Sequence, residues 1–244
     1  MNQTPIMGHL VLGYPSLSAS LDTAISYIAA GIEILELQIP FSHPTADGPV
    51  ITVACQEATK QGVRVQDCIE AIAQIRAAYP TQEIMVMSYI NRIYAYGIPK
   101  FMTEMEKLGI RHLIIPDYPA DLPLGTLREG APRMVPVLAA NISGPRLEKI
   151  LALDFDFYYL MSGFKITGSG FSLHPQLESL IARIKARHVN ARVGIGFGIS
   201  TREQASLVAA AADYAIIGSA LIQAQQEGNL ETFLADIQGL SVSV

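Results

Sequence analysis

The chain has 244 residues, a formal net charge of −5 at pH 7, and a composition that is 50% hydrophobic and only 16% charged. No cluster of basic residues stands out, which argues against a nucleic-acid or anionic-membrane surface. The length is near that of a single α/β barrel, and the low charge suits central strands that are covered on both faces.

The two cysteines, Cys55 and Cys68, have neither the spacing of a disulfide framework nor that of a metal site. The opening residues lack the basic and long apolar regions of a secretory signal, and no apolar run reaches membrane-spanning length. The sequence therefore predicts a reduced, cytoplasmic setting.

Short apolar runs alternate with longer amphipathic stretches along the whole chain, a pattern typical of βα units around a parallel sheet. The predicted strands are residues 8–12, 32–37, 83–88, 112–116, 133–138, 156–161, 192–196 and 214–218. The predicted helices are residues 18–30, 51–78, 98–108, 121–130, 144–152, 173–188, 201–211 and 219–237, the second of them broken near Gly62. No Ser-rich, Pro-rich or charged linker divides the chain, so residues 1–244 are predicted to form one domain.

Eight strand–helix units fit both a closed (β/α)8 TIM barrel and an open doubly wound sheet, and the glycines favour the barrel. The last three predicted strands lead into "ITGSG", "GFGIS" and "GSA", which place Gly168, Gly198, Gly218 and Ser219 at one rim. Glycine lets backbone N–H groups approach an anion, so these turns predict a phosphate site that needs no basic residue. A dinucleotide-type glycine run after the first strand is absent, which weighs against a Rossmann fold.

The second predicted strand, "IEILEL", carries an acid inside an apolar run. Side chains alternate along a strand, so Ile32, Ile34 and Glu36 share one face, which is expected to point to the barrel axis. A carboxyl group that is partly dry there needs a raised pKa or a hydrogen-bond partner, and either suits it for moving protons. Asp47 follows in the turn "ADGP", and taken alone each acid also fits a structural role.

Six segments match one known family in their residues and in their order along the chain. They are "LELQIPFSHPTADGPVI" (35–51), "SYINRIYAYGIPKF" (88–101), "LIIPDYP" (113–119), "YYLMSGFKITGSG" (158–170), "VGIGFGIS" (193–200) and "IIGSALI" (216–222). These segments resemble the alpha subunit family of tryptophan synthase. The resemblance implies a (β/α)8 barrel that acts as a carbon–carbon lyase of tryptophan biosynthesis, cleaving indole-3-glycerol phosphate to indole and glyceraldehyde 3-phosphate.

The resemblance also implies roles for individual residues. Glu36 and Asp47 match the family's proton-transfer residues, which act without a metal or cofactor, and pyridoxal phosphate belongs only to a β-subunit partner. The matching phosphate contacts are Gly168, Gly198, Gly218 and Ser219. The matching pocket and lid positions are Tyr89, Tyr159 and Thr167. The loops expected near a partner subunit hold His43 and Asp117.

The chain departs from the family pattern in the pocket and in the partner loop. His9 stands where the family has an apolar residue, Tyr14 takes the place of an acid, and Gln38 replaces a glycine. All three are expected near the pocket floor. His43 replaces a carboxylate in the loop that couples the alpha subunit to its β partner, so that partnership is expected to be weakened or absent.

Few residues precede the first predicted strand, so the family's N-terminal helix, which covers the bottom of the barrel, is expected to be missing. The departures keep two alternatives open. One is a diverged carbon–carbon lyase that acts on another phosphorylated substrate. The other is a non-catalytic regulatory paralogue, against which the intact acid pair argues.

Overall fold

The computed structural model describes residues 5–122, 130–161, 165–167, 170–196 and 198–239. The strands are Ile6–Val11 (β1), Ile34–Gln38 (β2), Glu83–Met87 (β3), His112–Ile114 (β4), Arg133–Val135 (β5), Val137–Ala139 (β6), Phe157–Met161 (β7), Lys165–Thr167 (β8), Gly170–Ser172 (β9), Arg192–Gly196 (β10) and Tyr214–Ile217 (β11). The helices are Leu17–Ala29 (α1), Pro49–Lys60 (α2), Val65–Ala78 (α3), Ile90–Tyr96 (α4), Ile98–Lys107 (α5), Gly144–Leu151 (α6), Pro175–Arg187 (α7), Arg202–Ala211 (α8), Ser219–Gln226 (α9) and Leu230–Gln238 (α10).

The main sheet closes on itself at Pro136. Its strand order is β5-β4-β3-β2-β1-β11-β10-β7-β6, and every neighbouring pair in it is parallel. The two ends of that order, β5 and β6, are consecutive pieces of one predicted strand, separated only by Pro136. Proline has no backbone N–H to donate, so it interrupts the ladder, while its carbonyl still accepts from Tyr159 N at 3.0 Å. The sheet is therefore the predicted (β/α)8 barrel with its fifth strand split in two.

Alternation along the strands separates two apolar layers. Met7, Ile34, Met85 and Ile216 belong to the cluster inside the barrel. Their neighbours in the chain, such as Leu35, pack outward into the larger layer between sheet and helices. The fully buried strands thus read as continuous apolar runs because both of their faces are covered.

The helix boundaries follow glycines that adopt positive φ. Gly62 (φ 83°) separates α2 from α3 as predicted, and Gly228 (φ 71°) splits the predicted helix 219–237 into α9 and α10. The short helix α4 and the antiparallel pair β8–β9 were not predicted. Most of the predicted helix 121–130 lies outside the described residues. Residues 1–4 lie outside them too, so the expected lack of an N-terminal capping helix stays a prediction.

Charged side chains close the N-terminal end of the strands. Arg192 at the start of β10 donates two hydrogen bonds, each 2.7 Å long, to Glu83 at the start of β3. His112 Nε2 lies 3.0 Å from Asp156 Oδ1, and Arg133 Nη1 lies 3.6 Å from Asp156 Oδ2. Because these residues come from separate strands, the contacts tie opposite sides of the barrel together.

This network makes the free energy of unfolding depend on pH in the acidic range. The hydrogen bond from His112, only partly opposed by burial, lowers the pKa of Asp156 to about 2. A carboxyl group whose pKa is depressed on folding stabilises the fold above its unfolded pKa of about 3.9, and the gain is lost as the pH falls towards 2. Asp156→Asn is expected to cost roughly 1 kcal/mol at pH 6, after allowance for solvent screening of a side chain that is 38% exposed.

The measurement is the free energy of unfolding against pH for the wild type, Asp156→Asn and the control Asp154→Asn, whose parent side chain is 95% exposed. The difference in the free energy of unfolding between the wild type and Asp156→Asn should become smaller as the pH falls from 5 to 2. Asp154→Asn should have the wild-type value at each pH. A gap that stays constant over this range would contradict the assignment.

Candidate active site

A cavity of about 250 Å³ opens at the C-terminal end of the strands. Its wall is formed by Glu36, His9, Tyr159, Gly198, Gly218, Ser219 and Asp47 together with apolar side chains. The apolar part includes Ile51, Met87, Ile114, Val137, Met161 and Ile216. A mostly apolar hollow with a few converging polar groups is the usual form of a small-molecule site, and this rim is where barrel enzymes place theirs.

Glu36 reaches this cavity because β2 alternates as the sequence predicts. Ile34 faces the barrel interior, Leu35 faces the helices, and Glu36 faces inward again, with 1% of its surface exposed. Ile32 precedes the strand and packs in the outer layer, so it does not share the face of Glu36 as expected. The Nδ1 atom of His9 lies 3.4 Å from Glu36 Oε2, which places a potential cation against the acid.

Asp47 lies in the loop between β2 and α2 and is held by two side chains. Gln38 Nε2 donates to Asp47 Oδ2 at 2.7 Å, and the Tyr89 hydroxyl donates to the same oxygen at 2.9 Å. Ala46 N donates to the Tyr89 hydroxyl at 2.9 Å, which orients that hydroxyl towards the acid. Burial raises the pKa of Asp47 above its usual value, and the attraction of His9 and the two hydrogen bonds offset this rise only in part.

Three of the four predicted phosphate residues meet on the wall of the same cavity. Gly198 has φ 73°, a conformation that glycine adopts readily, and Gly218 and Ser219 lie at the first turn of α9. A Cβ atom added at Gly218 would lie 3.3 Å from Ile51 Cδ1 and 3.5 Å from His9 Cβ, so a side chain there would crowd the site. The backbone N–H groups at the start of a helix favour an anion. Gly168 lies outside the described residues.

The predicted pocket residues divide into lining and supporting positions. Tyr159 lines the cavity, and it fits because Gly196 has no side chain: a Cβ there would lie 2.7 Å from the Tyr159 hydroxyl oxygen. Burial, with Glu36 and Asp47 nearby, holds the pKa of Tyr159 well above its usual value. Tyr89 is fully buried, does not line the cavity, and contacts Asp47 through its hydroxyl. The side chain of Thr167 lies outside the described residues.

The two predicted interface residues lie on loops away from the cavity wall. His43 is exposed, and its Nδ1 is 2.8 Å from the hydroxyl of Ser42. Asp117 is exposed and accepts a hydrogen bond from Ile90 N at 2.9 Å, which satisfies a free N–H at the start of α4. Asp117 therefore has a structural contact in its loop, and its position near a subunit interface stays a prediction.

The expectation that Tyr14 lies near the pocket is wrong. The expectation that His9 and Gln38 lie near it is confirmed. Tyr14 packs in a separate apolar cluster between the sheet, α2 and α9, and its hydroxyl accepts from Gln226 Nε2 at 2.7 Å. His9 and Gln38 are buried on the inner face beside the two acids. The sequence marked these two as departures, but it did not reveal that they touch the acids.

No helix in the described part of the chain is long and apolar enough to cross a membrane. Within the same ranges, no three His, Cys, Asp or Glu side chains gather as metal ligands would.

Comparison with known proteins places this chain in a family. Residues 1–240 match the family model described as tryptophan synthase alpha chain. The tryptophan synthase alpha chain of Syntrophotalea carbinolica is 32% identical over 96% of this chain and 93% of its own length. That of Methanosarcina mazei is 34% identical over 96% of this chain and 87% of its own. A solved structure of Mycobacterium tuberculosis tryptophan synthase superposes with a TM-score of 0.85 at 29% identity, covering 98% of this chain and 92% of that one. The chain belongs to the tryptophan synthase alpha chain family.

Proposed function

We propose that this chain is a lyase that cleaves indole-3-glycerol phosphate to indole and glyceraldehyde 3-phosphate, with Glu36 and Asp47 moving the protons. The observation that carries the proposal is one cavity that combines both acids, an apolar wall, and the Gly198 and Gly218–Ser219 turns. Family membership supports the same reaction.

The reaction is a retro-aldol cleavage that needs one proton in and one proton out. Glu36 delivers a proton to C3 of the indole ring, which leaves positive charge on the ring nitrogen. The Asp47 carboxylate accepts a hydrogen bond from that N–H and stabilises the charge as it forms. Glu36, now ionised, takes the proton of the hydroxyl on the carbon bonded to C3. The bond between these two carbons breaks, its electrons return to the ring, and the hydroxyl carbon becomes the aldehyde.

The surroundings of the two acids fit this division of work. Asp47 receives two hydrogen bonds on one oxygen, which fix its carboxylate in place. Among the described residues, Glu36 Oε2 contacts His9 Nδ1 at 3.4 Å and has no hydrogen-bond partner, which suits a carboxyl group that exchanges a proton with a bound substrate. Two carboxyl groups in different environments can take different roles in one reaction.

The remaining parts of the substrate also find partners in the cavity. Ile114, Val137 and Ile216 offer apolar contact to an indole ring. The backbone N–H groups near Gly198 and Ser219 suit the phosphate, and they bind it locally in a chain whose net charge is −5. No step of this mechanism uses a cofactor, and pyridoxal phosphate would belong to a β subunit. A cytoplasmic location is part of the same proposal.

The experiment is direct: purified protein is mixed with indole-3-glycerol phosphate, and the indole released is measured with and without a tryptophan synthase β subunit. We expect indole to form in both arms. Indole at the uncatalysed rate in both arms would refute the proposed function.

The assay with the β subunit present leads to a separate prediction for His43. This exposed residue carries no negative charge where the family has a carboxylate, so a β-subunit cation that pairs with that carboxylate would find no counter-charge here. We expect His43→Asp to bind the β subunit about tenfold more tightly, which corresponds to about 1.4 kcal/mol.

The measurement is the indole-forming rate against β-subunit concentration for the wild type, His43→Asp and His43→Asn. The asparagine control has a similar shape without the charge and should behave as the wild type does. Equal half-saturation of all three proteins would count against a role for this charge.

A further inference from the structure

His9 and Glu36 meet because of strand register. The two residues are direct partners in the parallel pair β1–β2, so their side chains project to the same side of the sheet, into the barrel. On the outer side, the Tyr27 hydroxyl donates to the His9 carbonyl oxygen at 3.2 Å and ties this part of β1 to α1. His9 is 3% exposed and lines the cavity with its ring beside Glu36, so the contact is built into the fold.

Gln38 extends the contact to the second acid. It lies two residues after Glu36 on the same face of β2 and is fully buried. Its Nε2 donates to Asp47, while its Oε1 and the Nε2 atom of His9 have no hydrogen-bond partner among the described residues. Glu36 Oε2 is a third buried atom without a hydrogen-bond partner, although His9 Nδ1 lies 3.4 Å from it. The unpartnered atoms of Gln38 and His9 are an acceptor and a potential donor. His9 thus contacts Glu36 and Gln38 contacts Asp47, and the two contacting residues are buried on neighbouring strands.

The charges that face His9 are mainly negative. Burial by itself would lower the pKa of His9, but Glu36, helped by Asp47 and Gln38, outweighs it, and the net pKa is raised above 6.5. The adjacent strand β11 presents Ile216, which does not titrate, and Tyr159 faces the cavity as a neutral hydroxyl because its own pKa is raised. A histidine that only filled space in an apolar interior would have a lowered pKa instead.

We propose that His9 and Gln38 form a bridge that couples the two carboxylates, His9 as the positioning residue of Glu36 and Gln38 as that of Asp47. The inference rests on the proposed function and deepens it: the bridge sets the charge and orientation of the acid that carries the proton. His9 does so through Nδ1, which lies at ion-pair distance, 3.4 Å, from Glu36 Oε2. A cation there stabilises the carboxylate form of Glu36, the form that takes the hydroxyl proton.

The test compares His9→Phe, which removes both the charge and the polar contact to Glu36, with His9→Asn, whose amide nitrogen can occupy the position of Nδ1. The control is His112→Asn, which removes a buried histidine at the opposite end of the barrel. The readouts are kcat and kcat/KM for indole formation against pH. A second readout, independent of substrate, is the NMR titration of the His9 imidazole in the wild type and in Glu36→Gln.

We expect His9→Phe to lower kcat by about 10- to 100-fold, within the usual range for acid–base catalysis. His9→Asn should recover part of kcat, because it restores a polar group beside Glu36 Oε2 without restoring the charge. His112→Asn should keep the wild-type profile. The His9 imidazole should titrate above pH 6.5 in the wild type and lower in Glu36→Gln.

The outcomes separate this inference from the proposed function. A wild type that releases no indole overturns the proposed function and this inference with it. A wild type that releases indole, with unchanged profiles in both His9 variants, overturns the bridge alone. An imidazole titration that is the same with and without Glu36 overturns it too, even if a His9 variant has lost activity through a folding defect.

Discussion

Glu36→Gln is expected to lower kcat for indole formation by about 10²–10⁴-fold, the usual loss when one positioned acid or base is removed. The amide has nearly the shape of the acid and can still contact His9, but it can neither deliver the proton to C3 nor take one from the hydroxyl. The fold should survive, because the amide keeps the volume of the acid at this fully buried position, and His9, whose pKa Glu36 raises, can be neutral beside it.

The matched control is Glu33→Gln, a change in the same segment at an exposed side chain. It should keep the wild-type rate, and circular dichroism should show that both variants are folded. Near-normal turnover in Glu36→Gln would show that another group carries the proton.

Asp47→Asn is expected to lower kcat for indole formation by a similar factor, about 10²–10⁴-fold, for a different reason. The asparagine oxygen can still accept the hydrogen bonds from Gln38 and Tyr89, so the loop should keep its place. What is lost is the negative charge that stabilises the protonated ring. Because the pKa of Asp47 is raised above 3.8, the wild type should lose activity on the acid side as this carboxylate takes up a proton.

The measurement for Asp47 is kcat against pH for the wild type, Asp47→Asn and the exposed control Asp22→Asn. The low-pH limb assigned to Asp47 should be absent from the residual activity of Asp47→Asn and unchanged in Asp22→Asn. An Asp47→Asn enzyme that keeps the wild-type rate would remove Asp47 from the mechanism.

The sequence predicted the barrel well because its strands repeat a local pattern. Each apolar run fits a strand buried on both faces, and glycines such as Gly62 mark where helices end. The split of the fifth strand was missed although Pro136 was visible, because a single proline does not reveal how the two strand pieces are shared between neighbours. The pair β8–β9 was missed for a related reason: three-residue strands are too short to show a period.

The candidate site was predicted in part. Alternation placed Glu36 on the inner face, and the glycine turns placed Gly198 and Gly218 at the same rim. The contact between His9 and Glu36 depends on the register of β1 against β2, and no pattern within either strand fixes that register. Tyr14 was misplaced because the loop after β1 turns outward towards α2 and α9, a direction set by tertiary packing.

The network around Glu83 and Arg192 has a consequence for how this protein can evolve. Glu83 and Met87 are the two ends of β3, so about 13 Å of strand separates the layer of ion pairs from the cavity wall. Substitutions that far apart usually act independently on the free energy of unfolding. Unusual residues such as His9 and Gln38 can then accumulate around the acids while the opposite end preserves the folded state. Substitutions that change the chemistry at the cavity therefore need not reduce the stability that the ion pairs at the other end of the barrel contribute.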